Sequence, residues 1–210
     1  MYNKIILDKN GVLRMEKIQQ IMDEINLDTN LSLDEIPHID LYMDQVIQLF
    51  EKRFAETKRN EEEKILTKTM INNYAKGKLI FPIKNKKYSK EHLILMSLIY
   101  QLKGALSIND INTMLSGINK RIIKEDINLD SFYDSYLNLT HRNVEDFKRD
   151  IEERVREVKE EIVEIKEGHS EYLEQVLMIS SLVHMSNLYR KIAERLVDQI
   201  PAEKEGKRQK

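Results

Sequence analysis

Residues 64–90 read KILTKTMINNYAKGKLIFPIKNKKYSK, and this stretch decides the fold. It carries eight lysines, at 64, 68, 76, 78, 84, 86, 87 and 90, and no Asp or Glu. Its local charge is +8 in a chain whose net charge is −2, which leaves −10 for the remainder. Charge segregated this far marks a surface that meets a polyanion. The alternative is a lysine-rich solvated face, the ordinary fate of lysines. Lack of any acid over the whole stretch, in a chain with 36 acids, argues against it.

The stretch also parses into elements. Thr67 is a good N-cap for a helix over 68–76. Met70, Ile71 and Tyr74 share one face and turn inward. Lys68, Asn72, Asn73 and Lys76 are left outward, where Asn and Lys can meet base edges and phosphates. Gly77 is expected to take a left-handed turn and end the helix. Leu79, Ile80 and Phe81 anchor a loop that Pro82 stiffens, with Lys78 at its start. Lys84, Asn85, Lys86 and Lys87 form the tip of a wing placed to touch phosphate. Tyr88 closes it, and Ser89 caps the next helix.

Upstream, Leu13, Ile18, Ile21, Met22 and Ile25 recur at helical spacing, which predicts a helix over about 14–27 after a short strand or disordered lead. Ser32 to Glu35 has capping-box spacing, but Pro37 permits only a short turn. Asp40 is expected to cap a helix over about 41–58 with Leu41, Tyr42, Val46, Leu49, Phe50 and Phe54 inward. Downstream, a helix over 90–103 is apolar over much of its surface and belongs at the centre of the core. Gly104 ends it. Ser107 to Asp110 opens a helix over 108–116.

These residues carry a resemblance. The order of helix, NNYxKxKLIFP, basic wing, Tyr-Ser, apolar helix and Gly104-Ala105-Leu106-Ser107-Ile108-xx-Ile111 resembles the N-terminal winged helix-turn-helix of MerR-type regulators. Tyr74 corresponds to a tyrosine of their second helix. Leu79, Ile80 and Pro82 correspond to their Leu-Leu-x-Pro, and Tyr88-Ser89 to their wing end. Asn72 and Asn73 stand where that family has Arg and Tyr, and Lys78 stands at its usual Gly. The wing is short and lacks a Tyr-Arg pair, so phosphate contacts fall to the lysines. Residues 36–116 are also similar to a bacterial, mainly Firmicute, family of domains of unknown function, number 1836, through IPHIDLYMDQV, LTKTMINNYAK, KKYSKEH and LSINDI. That resemblance implies a MerR-like fold.

After Ser116-Gly117 the character changes. A helix is expected over about 130–139, either separate from or continuous with a charged one over 143–167. In the latter Ile151, Val155, Val158, Ile162 and Ile165 are spaced 4, 3, 4 and 3, which is heptad a/d spacing. Gly168 ends it, and Ser170 caps a last helix over about 171–199 before Pro201. Between Tyr172 and Tyr189 the only charged side chain is Glu174, and apolar residues cover more than one face. Such a helix needs more than one partner: an antiparallel hairpin with 143–167, and a second subunit.

Other chemistry finds little support. With no Cys there is no thiolate metal site and no thiol redox chemistry. The five His are scattered, and His184 lies half a helix from His169, so no metal site is expected. Phe132, Tyr133, Tyr136, Tyr172 and Tyr189 are read as packing rather than an effector pocket. There is no nucleophile motif, phosphate-cradling loop or His–carboxylate constellation, so no enzyme and no cofactor is expected. No apolar run is long enough to span a bilayer and no signal peptide precedes the first charges, so a soluble cytoplasmic protein is expected.

The expectation is an all-α protein in four parts: a helical lead over 1–35, a MerR-like winged helix-turn-helix over 36–116, a dimerising C-terminal helical hairpin over 117–200, and a disordered tail over 201–210. It would be a homodimer that binds duplex DNA and regulates transcription, through Lys68, Asn72, Asn73, Lys76, Lys78, Lys84, Lys86 and Lys87. Duplex DNA is favoured over RNA, because no interleaved aromatics offer bases a stacking platform. The alternative is a non-catalytic helical module whose basic surface docks an acidic protein.

Overall fold

The computed structural model describes residues 15–163 and 170–201. It is mostly helical, with one two-stranded sheet, as an all-α sequence requires. The described chain falls into two compact units: residues up to 28 with 140–189, and residues 29–139 with those from 190 onward. The lead before Met15, Ile165, Gly168 and the tail beyond Pro201 lie outside the described residues.

The larger unit starts with a single 3-10 turn, Leu33–Glu35, where Ser32 N–H donates to Glu35 Oε2 at 2.9 Å. Pro37 keeps it to one turn. Strand β1, Leu41–Tyr42, follows, then α2, Met43–Phe54. The expected helix over 41–58 is therefore shorter at both ends. Asp40 does not cap it; Tyr42 occupies the cap, and its N–H donates to Gln45 Oε1 at 2.8 Å. Residues 41 and 42 are drawn into a ladder with β2, Lys87–Tyr88, in antiparallel register Leu41↔Tyr88 and Tyr42↔Lys87. At the other end a 3-10 turn, Ala55–Thr57, takes over.

Helix α3 spans Lys68–Lys76, with Thr67 Oγ1 accepting from Met70 N–H at 3.1 Å. Ile71 and Tyr74 are buried beneath it. Its end corrects one expectation. Gly77 has φ −75°, and the left-handed residue is Lys78, at φ 57°. Gly77 is needed for space: a Cβ there would lie 2.8 Å from Leu79 Cδ1 and 3.1 Å from the Asn73 carbonyl oxygen. Lys78 thus takes a backbone conformation that Gly would take with less strain.

Helix α4, Lys90–Leu102, is buried continuously from His92 to Ile99 and forms the centre of the core. Val46, Phe50 and Phe54 of α2 join Leu93, Ile94, Met96 and Ile99 in one cluster with Ile71 and Leu79. Helix α5 runs Ile108–Lys124, well past the expected end at 116, with Gly117 inside it. Ile118 and Ile122 continue the apolar face of Ile111 and Leu115. That burial outweighs the roughly 1 kcal/mol an internal Gly costs a helix.

Helix α6 is one element, Leu129–Val163, where two were expected with continuation allowed. Its first turns belong to the larger unit. There Tyr133 is fully buried; its Oη donates its one proton to Leu31 O at 2.7 Å and lies 2.9 Å from Ser97 Oγ, whose own hydroxyl can donate back. Tyr136 stacks on it at 5.8 Å, so both are packing residues, whereas Phe132, Tyr172 and Tyr189 are exposed and the expectation of packing fails for them.

In the smaller unit, α1, Met15–Glu24, supplies Met22 to a cluster with Ile151, Val155 and Val158 of α6 and Met178 of α7, Ser170–Asp198. Ile162 is also buried, so four described positions of the heptad seam face inward. Among the described residues, one seam of α7 is covered within the chain and another is not. Tyr172, Val176, Ile179 and Val183, spaced 4, 3 and 4, are exposed at 68%, 39%, 61% and 54%. No helix among the described residues is long and apolar enough to cross a membrane.

Candidate nucleic-acid interface

Three short pieces position the basic groups: α3, the connector 77–83, and a hairpin whose turn is Asn85-Lys86. Lys87 N–H donates to Lys84 O at 3.0 Å, and Asn85 and Lys86 sit at φ 51° and 58°. Two successive left-handed residues make a type I′ turn, the tight connection whose twist suits a hairpin. Lys84 and Lys86 are exposed at the tip. β2 then anchors the hairpin on β1.

The sequence-assigned groups divide by environment. Lys68, Asn72, Asn73, Lys76 and Lys78 are exposed. Lys68, Asn72 and Lys76 stand at i, i+4 and i+8, one stripe along α3. Lys68 Nζ pairs with Asp44 Oδ1 at 2.8 Å, both more than 60% exposed. An exposed pair of this kind is worth at most about 1 kcal/mol, so a phosphate could replace the carboxylate. Lys87 is half-buried, its Nζ 5.3 Å from the Tyr42 ring centroid. Tyr42 itself is 55% exposed rather than inward.

Tyr42 and Asp44 were not among the sequence-assigned residues, yet they join the two basic pieces: one touches the hairpin and the other touches α3. No local signal marks them, since Tyr42 continues the helical spacing of Val46, Leu49 and Phe50. The connector is held from the far side by α5. Asn112 Nδ2 donates to Gly77 O, and Asn119 Nδ2 donates to Leu79 O at 3.0 Å.

His92 locks the base of the hairpin. Ser89 N–H donates to His92 Nδ1 at 3.1 Å, and Nε2 faces Phe81 O at 3.3 Å. With Nδ1 accepting, the proton sits on Nε2 and the ring is neutral. Phe81 stacks on it at 3.8 Å and Tyr88 meets it edge-on at 5.8 Å. Burial holds its pKa below the ordinary histidine value, opposed by the Phe81 carbonyl and by Glu91 and Asp40. A depressed histidine pKa gives stability that is present above the unfolded value, about 6.5, and lost as pH falls through the folded value. His92→Gln keeps a side-chain acceptor for Ser89 N–H but cannot titrate. The thermal midpoint of the wild type is therefore expected to fall faster than that of His92→Gln below about pH 6.5; parallel curves would refute the assignment.

Among the described residues no group of three His, Asp or Glu is placed to hold a metal. His184 is exposed on α7.

The family model described as Domain of unknown function (DUF1836) matches residues 31–136. The match begins at Leu31, which accepts the Tyr133 hydroxyl, and ends at Tyr136, so it takes in the whole of α5 and the first turns of α6. No curated protein and no solved structure matches the chain.

Proposed function

The chain belongs to the DUF1836 family, and we propose that this member is a sequence-specific duplex-DNA-binding regulator with a MerR-like winged helix-turn-helix. One observation carries the proposal: the acid-free lysine stretch folds into an exposed helix and a lysine-tipped hairpin joined by a tethered connector. α3 would enter the major groove, with Asn72 and Asn73 offered to base edges and Lys68 and Lys76 to flanking phosphates. Lys84, Lys86 and Lys87 would sit on the backbone, and Lys78 beside it.

The second part of the proposal is a homodimer formed through the exposed α7 seam. An uncharged apolar stripe at heptad spacing can pair with its own copy about a two-fold axis. Two-fold pairing is also how helix-turn-helix proteins reach two half-sites. Sedimentation of the wild type is expected to give twice the chain mass. Ile179→Asp with Val183→Asp should give a folded monomer; a wild-type monomer would remove this part of the proposal.

Selection from a random duplex pool tests the main claim. The expected result is enrichment of inverted half-sites about 34 Å apart, one helical turn. Recovery of no motif would overturn sequence-specific binding and leave the basic face to an acidic protein.

A further inference from the structure

A cavity of about 800 Å³ lies against the connector that joins α3 to the hairpin. Ile80 and Phe81 of the connector, Ile123 of α5 and Ile200 beyond α7 give it apolar walls, while Asn119, three other uncharged polar side chains and four charged ones make up the rest of its lining. The volume lies in the range of small-molecule sites, which pair apolar walls with a few placed polar groups. Ile123 is 60% exposed, an uncovered apolar wall.

Asn119 supplies the polar group. It is 7% exposed, and its Nδ2 donates to Leu79 O at 3.0 Å and to Leu115 O at 3.1 Å. Both acceptors are carbonyls, so the amide cannot be turned over without setting oxygen against oxygen. Oδ1 is thereby fixed as a buried acceptor with no partner among the described residues. Native proteins leave few such atoms. The oxygen is closed to anything the size of water, so a donor bound in the cavity must displace the wall atoms that cover it. The same side chain tethers the connector through Leu79, and Asn112 tethers it through Gly77.

We propose that this cavity binds a small, mainly apolar molecule carrying one N–H or O–H donor, which Asn119 Oδ1 accepts, and that occupancy alters how α5 holds the connector between α3 and the hairpin. The binding site stands on the cavity and Asn119 alone. Its effect on DNA rests on the function proposed above.

The test is a fragment library of indoles, phenols and aromatic amides, read by nitrogen-15 NMR of the full chain. Donor-bearing fragments are expected to shift the Asn119 side-chain amide and the Leu79 backbone amide. Their N- or O-methylated counterparts should bind at least about tenfold more weakly, the scale of one lost hydrogen bond to a buried acceptor. Ile123→Trp, at an exposed wall position, should abolish the shifts, and Ile200→Trp serves if the first variant loses its fold. No fragment shifting those two resonances would overturn the site, as would shifts that persist in the filled variants. The best fragment is then added to a DNA titration. A severalfold change in affinity supports the coupling, and unchanged affinity removes it. Absence of DNA binding both with and without the fragment, while the fragment shifts persist, would instead count against the DNA reading.

Discussion

Lys84→Ala/Lys86→Ala/Lys87→Ala is expected to weaken duplex binding uniformly across sequences. Each lysine that neutralises a phosphate contributes about 0.9 to the slope of log affinity against log salt. Carried from 1 M to 0.1 M salt, that slope is worth about eightfold per contact, hence about 500-fold for three. The variant should also show a slope shallower by about 3 per protomer. Lys87 lies over Tyr42 as well, so its loss removes a cation–π contact worth about 0.5–1 kcal/mol. That is too small to unfold the hairpin, which β2 still anchors on β1. Asn72→Ala should behave oppositely. Its exposed amide on α3 is proposed to read bases rather than backbone, so overall affinity for scrambled duplex should hold. Preference for the native duplex should drop by the roughly 1–3 kcal/mol of one base contact. Both are read by fluorescence anisotropy over a salt series. Equal loss of preference in the two variants would contradict the division of roles.

The largest stability effect is expected at Tyr133. Its ring is fully buried, and its hydroxyl donates to Leu31 O while Ser97 Oγ pairs with the same phenol oxygen. Tyr133→Ala should cost about 3–5 kcal/mol, as large-to-small changes of buried aromatics do. Tyr133→Phe should cost about 1–3 kcal/mol, because the buried Leu31 carbonyl loses its donor and the Ser97 hydroxyl loses its partner. The phenol also predicts an alkaline limit. Burial lifts its pKa from 10.0 to about 12, partly offset by the Ser97 hydrogen bond. A raised folded pKa gives stability that is full below the unfolded value and is lost as pH rises through the folded one. The window is pH 10 to about 12. Two pKa units correspond to about 2–3 kcal/mol. Denaturant unfolding at pH 7 and at pH 11 checks both points: the gap between wild type and Tyr133→Phe should narrow at the higher pH. A gap that stays constant would mean the hydroxyl is not buried as described.

Much of this architecture was legible in the sequence where local signals agree. Thr67, the Met70–Ile71–Tyr74 face and Gly77 bound α3 to the residue, because cap, period and stop coincide. The misses share a physical cause: a long-range contact overrode a local cue. Leu41 and Tyr42 look helical, but β2, 45 residues on, takes them into a ladder. Gly117 looks like a stop, but Ile118 and Ile122 bury the turn that follows it. Gly77 carries the usual sign of a left-handed cap, yet crowding by Leu79 fixes its role and passes the left-handed turn to Lys78.

At the candidate interface the outward set on α3 could be read from helical spacing alone. The roles of Tyr42 and Asp44 could not, since both touch residues far along the chain. Nor could the cavity, whose walls come from the connector, α5 and the residues after α7. Asn119 gives no sequence signal either, being one of many Asn; its importance comes from a burial that leaves one oxygen without a donor.

The central claim is that the basic face meets duplex DNA and reads its sequence. The most direct measurement is an anisotropy titration of the wild-type chain against a labelled duplex from upstream of its own coding sequence and against a scrambled duplex, at two salt concentrations. Tighter binding to the native duplex, falling steeply with salt, is the predicted result. Equal weak binding to both duplexes, or none, would contradict it.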